Sequence, residues 1–251
     1  MTPIKYGVWR PDVPDHRDFL AKKSIARKTF VDRMAVNYHR ENQGSLGSCT
    51  GNSGTSALEL ALQIPQVQLS RLFAYYTARS YEGTVKEDAG AQIRDVVKGL
   101  FKVGVPSETV WPYKIKQMAK KPSAEAYKRA AELAAHVKSI GLVYERVPDL
   151  KTLLSALSNG QPVVFGFMVP QQFDNMPKSY VLDLPKPKEP SLGGHAVFAD
   201  GYDTRAKRPF VWVQNSWGKE WGLNGYFKMP FEWFTDDRRL VDDMWTFRRT
   251  K

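Results

Sequence analysis

Cysteine is nearly missing from this 251-residue chain: Cys49 is the only one. An intramolecular disulfide is therefore excluded, and the fold must hold by its core alone, which fits a reducing compartment or a lineage without disulfides. No apolar run approaches the roughly 18 residues of a membrane span. Met1–Arg10 lacks the apolar stretch of a secretory signal, so the expectation is a cytoplasmic or virus-encoded protein with no membrane contact. No Cys/His spacing of a zinc site and no carboxylate cluster of a calcium site is present, so neither metal nor other cofactor is expected. Internal repeats are absent as well.

What is abundant is positive charge: 37 Lys and Arg against 26 Asp and Glu, a formal net charge of +11. The basic residues are scattered in pairs such as Lys120-Lys121 and Arg248-Arg249, with no aromatic nucleic-acid signature beside them. Charge of this kind sets solubility and encounter rather than fold, and a nucleic-acid partner is not supported. Oligomeric state is not legible.

Three regions differ in texture. Residues 1–35 are rich in Pro, Asp and Arg, and their prolines disfavour helix; an extended arm is expected, either a belt on the body or a removable segment. Its apolar Trp9, Val13, Phe19 and Ile25 argue for docking, with Asp12, Asp15, Arg17 and Asp18 as charged anchors. Residues 36–115 read as mainly helical. A first helix starts at Ser48, apolar on most faces and hence buried, and ends at Pro65. A second starts near Ser70. A third runs from about Ala91 with Ile93, Val96, Val97, Leu100 and Phe101 at helical spacing, stopped by Gly104. Residues 116–251 read as mostly strand: near 136–143, then 163–169, 195–202, 209–214 and 225–229, with helices over 123–135 and 150–157. Helices followed by strands predict an α+β fold of two lobes in one domain.

Cys49 stands where the first helix begins. A helix N-terminus and a neighbouring imidazolium both favour the thiolate, the reactive form of cysteine. His195 follows Gly193-Gly194, whose missing side chains let a substrate backbone pass close. Asn215 ends another strand-like run, and its amide can fix the orientation of an imidazole. Gln43, six residues before Cys49, carries an amide N–H able to stabilise an oxyanion. His16, His39 and His136 have no such setting and read as structural.

Together, Gln43-Gly-x-x-Gly-Ser-Cys49, Gly194-His195-Ala196-Val197 and Asn215-Ser-Trp-Gly-x-x-Trp-Gly-x-x-Gly-Tyr226 resemble the three signature blocks of papain-family cysteine peptidases. His195 lies 146 residues beyond Cys49, within the usual spacing of about 130–150. Asn215 lies 166 beyond, and an insertion near Pro185–Pro190 accounts for the excess. Glu87-Asp88-Ala89-Gly90-Ala91, Gly104-Val-Pro-Ser-Glu108 and Trp111-Pro-Tyr113 extend the resemblance, which spans about Asn42 to Met229. It implies a papain-like fold, a helical lobe and a β-barrel-like lobe with the active site in the cleft between them. It implies Cys49 as nucleophile, His195 as general base and acid, Asn215 as its orienting residue and Gln43 in the oxyanion hole. Trp217 would shield the Asn215–His195 bond from water, and Gly90 and Gly194 would face a protein or peptide substrate. The implied activity is endopeptidase. A Cys–His amidase, a transglutaminase-like acyl transferase and a silent peptide-binding module are the other readings.

Two departures stand out. Leu46 replaces the family's half-cystine, and Thr50 replaces an aromatic after the nucleophile. The arm, Trp9-Arg-Pro-Asp-Val-Pro-Asp-His-Arg-Asp18, resembles the start of bacterial and phage-type members rather than the long inhibitory propeptide of secreted ones.

Overall fold

The computed structural model describes residues 9–22, 24–34, 39–64 and 66–250. Helix α1 (Cys49–Leu62) is buried along nearly its whole length, including Glu59. The predicted terminator Pro65 lies outside the described residues; Gln63 ends the helix in the left-handed conformation, returning its N–H to the carbonyls of Glu59 and Leu60. Helix α2 (Arg71–Tyr81) is capped by Ser70, whose hydroxyl accepts the N–H of Phe73, satisfying a donor that a helix start otherwise leaves bare. Helix α3 (Ile93–Lys102) turns Ile93, Val96, Val97 and Leu100 inward.

Helix α4 (Ala124–Ser139) runs through the start of the stretch expected as a strand at 136–143. The reason is a buried stripe of Ala126, Ala130 and Val137 that keeps helical spacing to the end. Gly141, at φ 63°, then breaks the chain out, and strand β2 forms later, at Leu142–Arg146. Helix α5 (Leu150–Ser158) is capped by Asp149.

The strands form one antiparallel sheet. In chain order they are β1 (Phe30–Val31), β2, β3 (Val163–Val169), β4 (Gly193–Asp203), β5 (Phe210–Gln214), β6 (Tyr226–Pro230) and β7 (Val241–Arg249). The order across the sheet is β2-β7-β3-β4-β5-β6, with β1 on the end of β4. Strand β7, not foreseen, inserts between β2 and β3. Because side chains alternate along a strand, β3 and β4 feed two cores. Val164, Ala196 and Phe198 join α1–α4 in one. Val163, Phe165, Phe167, Val169 and Val197 join α5 and Trp233 in the other.

The arm lies against the body. Of its apolar candidates Trp9 is buried, whereas Val13, Phe19 and Ile25 are exposed at 66%, 77% and 79%. Of its charged candidates, Asp12 and Asp18 make contacts to the body. Asp12 accepts from the Arg94 N–H and Trp245 Nε1 (3.0 and 2.9 Å), and its own N–H donates to Asp243. Asp18 pairs with Arg94, 2.5 Å. Asp15 is held by Arg17, within the arm. Further on, the backbone of 19–21 pairs with Arg146, the N–H groups of Arg27 and Lys28 donate to Ser158, and β1 joins β4.

Candidate active site

Four residues from distant parts of the chain meet where α1 abuts β4. The Cys49 thiol sits at the first residue of α1, where the backbone N–H groups of Ala196 on β4, of Thr50 and of Cys49 itself favour the charged form of the sulfur. The favourable end of the helix dipole is thus turned onto sulfur, as the position of Cys49 predicts. Ser48 does not cap the helix; its hydroxyl is bound to the Tyr113 hydroxyl and accepts from Asn52.

His195 Nε2 lies 2.8 Å from Asn215 Oδ1. The same oxygen accepts the Ser216 N–H, 2.8 Å, which identifies it as the amide's oxygen. Nε2 therefore carries the ring proton and Nδ1 presents a lone pair. Nδ1 is buried and, among the described residues, has no hydrogen-bond partner. An imidazole in this tautomer is set to accept a proton at Nδ1. Trp217 packs on the ring, centroids 5.4 Å apart, within a cluster that includes Phe173 and Trp221.

Cys49 and His195 are both fully buried. Burial pushes the Cys49 thiol up to about 11 and the His195 imidazolium down to about 4, the first against its three amide donors, the second against Asn215. Burial thus works against the thiolate–imidazolium pair expected from the sequence, because a dry site disfavours both charges.

Gln43 is locked. Its Oε1 accepts from the Ser216 hydroxyl (2.6 Å), and its Nε2 donates to the Leu46 carbonyl (2.9 Å). Its backbone N–H donates to Ser216, the Gly218 N–H donates to Glu41, and Asn42 bridges Trp217. Residues 41–43 are thereby zipped to 216–218. Leu46, buried where a half-cystine would stand, packs in the helical core. Asp88 accepts the Gly47 N–H and the Tyr75 hydroxyl, and the Tyr113 hydroxyl donates to the Gln43 carbonyl. Under this loop Arg71 pairs with Glu41 (2.6 Å) and Glu108 (3.3 Å). Removing one member of such a buried group costs on the order of 3–5 kcal/mol.

Gly90, at φ 72°, donates its N–H to the Tyr75 hydroxyl. The next residue, Ala91, forms a parallel bridge with Trp9 of the arm, whose N–H also reaches the Gly194 carbonyl at 3.5 Å. The Trp9 indole lies over Gly166 and Gly194, where added Cβ atoms would overlap it. So Gln43, Cys49, His195, Asn215 and Trp217 converge, and Gly90 and Gly194 flank them with the arm between. Ser216, Asp88, Tyr75 and Tyr113 were missed as supports. Ser216, Asp88 and Tyr113 lie in the motif blocks and Tyr75 on α2, but their partners are distant in sequence. Among the described residues, no group of three or more His, Cys, Asp or Glu is placed to hold a metal.

Comparison with known proteins gives the family of the chain. The sequence profile described as papain family cysteine protease matches residues 27–233. An uncharacterized peptidase C1-like protein of Acanthamoeba polyphaga mimivirus is 40% identical over 215 residues, 81% of this chain and 68% of that protein. Bovine pro-cathepsin H is 28% identical over 195 residues; the match takes in 74% of this chain and 54%, about half, of that relative's length. Among solved structures, xylellain, a cysteine protease from Xylella fastidiosa, superposes with a TM-score of 0.86 at 33% identity, covering 99% of this chain and 98% of its own. The chain belongs to the papain family of cysteine proteases and has its α+β fold.

Proposed function

We propose that the protein is a cysteine endopeptidase acting through a thioester on Cys49, seen here with its arm closing the cleft. The observation that carries this is the tautomer fixed at His195: Nε2–H tied to Asn215, a bare Nδ1, and a thiol at a helix start. Nδ1 takes the thiol proton as sulfur attacks the peptide carbonyl, then returns it to the leaving amine. Water, activated by the same nitrogen, hydrolyses the thioester. The developing oxyanion is received by the Cys49 N–H and by Gln43 Nε2, whose amide is aimed by Ser216. Trp217 keeps water from the Asn215–His195 bond.

In the closed form this chemistry is silent, because both charges of the ion pair are disfavoured by burial and Trp9 fills the substrate's path. Displacing the arm admits water and substrate together.

The test is a diverse peptide library incubated with the intact chain, with Trp9→Ala and with Trp9→Ala/Cys49→Ala, read by mass spectrometry. New peptide termini from Trp9→Ala, fewer from the intact chain and none without Cys49 are expected. Deamidation or amine transfer without new termini would make it an amidase or acyl transferase. Peptide retention with no chemistry would make it a binding module.

A further inference from the structure

The peptide unit that joins Leu46 to Gly47 is held at both ends. Its carbonyl accepts from Gln43 Nε2 (2.9 Å) and from the Ser48 N–H (2.8 Å). Its N–H is aimed at the Asp88 carboxylate, 3.1 Å from each oxygen. A trans peptide is planar, with its N–H and C=O on opposite sides, so an acceptor that fixes the N–H also fixes the carbonyl. A second link leaves the same carboxylate. Asp88 Oδ1 accepts the Tyr75 hydroxyl (2.6 Å), and the Tyr75 oxygen accepts the Gly90 N–H (3.0 Å). Arg79, fully buried, stacks 4.1 Å from the centre of the Tyr75 ring and donates to the carbonyls of Val85 and Glu87. One carboxylate thereby joins the loop before Cys49, helix α2 and the loop over 84–91.

We infer that Asp88 is a positioning residue with two tasks: through the Leu46–Gly47 peptide it aims the amide of Gln43, and through Tyr75 it sets the Gly90 backbone that faces the substrate. The inference rests on the peptidase reading above. An amide nitrogen carries two N–H groups. With one N–H of Gln43 Nε2 given to Leu46, the direction of the other follows from where that carbonyl stands. Ser216 holds the oxygen end of the same amide, so Asp88 and Ser216 brace Gln43 from opposite ends. A hydrogen bond to a carboxylate is roughly twice as strong as one between neutral groups, which suits a contact that must hold while charge develops next to it. Leu46 stands where the family carries a half-cystine, and the one cysteine of the chain is a free thiol. The loop is thus tied by hydrogen bonds in place of a covalent bond, and the tie carries the substrate-facing loop with it.

The experiment adds Asp88→Ala, Asp88→Asn and Tyr75→Phe singly to Trp9→Ala and measures cleavage of a library peptide that Trp9→Ala cuts, with rates expressed per alkylatable Cys49. Asp88→Ala should lower kcat on the order of tenfold to a hundredfold, the scale of a misplaced reacting group or a lost oxyanion donor. Asp88→Asn, whose amide oxygen can still accept the Gly47 N–H, should restore most of that loss. Tyr75→Phe cuts the Gly90 branch alone and should raise KM on the order of threefold to tenfold, the scale of one neutral hydrogen bond, with kcat little changed. Hydrogen exchange of single amides reads the tie without activity: Asp88→Ala should speed exchange at Gly47 and Gly90, and Tyr75→Phe at Gly90 only. Asp88→Ser, too short to reach both partners, takes the place of Asp88→Ala if the latter does not melt cooperatively. A lower melting temperature with kcat and KM per site unchanged overturns the inference, and so does unchanged exchange at both amides. The two readings fail separately. Faster exchange at both amides in a Trp9→Ala protein that cuts nothing removes the peptidase and leaves the tie standing; cleavage that Asp88→Ala leaves undiminished does the reverse.

Discussion

Asn215 fixes which nitrogen of His195 is basic. Its Oδ1 accepts both the imidazole Nε2–H and the Ser216 N–H, each at 2.8 Å, so Nδ1 is the basic nitrogen. Asn215→Ala should leave a folded protein whose ring samples both tautomers and orientations. Measured on the Trp9→Ala background, kcat should fall on the order of tenfold to a thousandfold with KM little changed. Undiminished kcat would mean that Asn215 does not set the tautomer.

The pH dependence of Cys49 reactivity should report whether the cleft is wet. In the closed chain burial holds the thiol at about 11 and the imidazole at about 4. Alkylation should therefore be slow in mild acid and rise only toward alkaline pH. Trp9→Ala opens the site to water, which lowers the thiol's value and raises the imidazole's until an ion pair forms. Its alkylation profile should move toward acid, and adding His195→Ala should abolish the move. Identical profiles for intact chain and Trp9→Ala would show that the arm is not what dries the site.

Arm docking should itself depend on pH. Asp12 is held above the usual carboxylate range, first by burial and then by Asp243, and outweighs the opposing Arg94 and Trp245 contacts. Asp243 is raised too, by burial first. Arg146 lies between them, 3.3 Å from Asp12 and 2.8 Å from Asp243, with Asp18 and Asp242 also on it. A carboxyl with a raised docked value takes up a proton on docking, so docking is strongest below the free value of about 4 and weakens as pH rises through mild acidity. Hydrogen exchange of residues 9–22 should speed up from pH 5 to pH 8 beyond its intrinsic trend, and Asp12→Asn should flatten the difference. Stronger protection at pH 8 would assign the latch to the Arg94 and Arg146 ion pairs instead.

Asp200 sets a similar term for the whole fold. It is fully buried on β4, its Oδ2 takes the Tyr226 hydroxyl, and among the described residues its Oδ1 has no hydrogen-bond partner. Burial raises it to about 7. Its stabilising contribution is complete below the unfolded value and is lost as pH rises toward 7. Asp200→Asn keeps an acceptor for Tyr226 and carries no charge. It should raise stability at pH 8 by about 2–4 kcal/mol and change little at pH 4, as read by urea unfolding. Equal changes at both values would mean that Asp200 is not charged in the fold at pH 8.

The catalytic blocks were legible because each is a short run whose residue types are dictated by local tasks: a thiol at a helix start, an imidazole after two glycines, an amide at a strand end. The first three helices were legible from apolar spacing. Strand β7 was not, because Asp242, Asp243, Arg248 and Arg249 break its pattern; Asp243 and Arg248 find partners only in the fold, in Arg146 and Glu145. The arm was legible in part. Trp9 is buried and Asp12 and Asp18 reach Arg94, Trp245 and Asp243, as their residue types suggest, while Val13, Phe19 and Ile25 look like anchors in sequence and are exposed. The directions in which Cys49 and His195 are shifted could not be read from residue types, since they follow from burial in the fold.

The zipper between residues 41–43 and 216–218 makes the site non-modular. Gln43 is aimed by Ser216, and Ser216 also anchors the oxygen that aims His195. The proposed oxyanion donor and the proposed base thus share one mounting, though 173 residues separate Gln43 from Ser216 in the chain. Grafting either segment from a relative into this protein would import half of a matched pair. A working chimera has to carry both ends of the chain's path through the site, or neither.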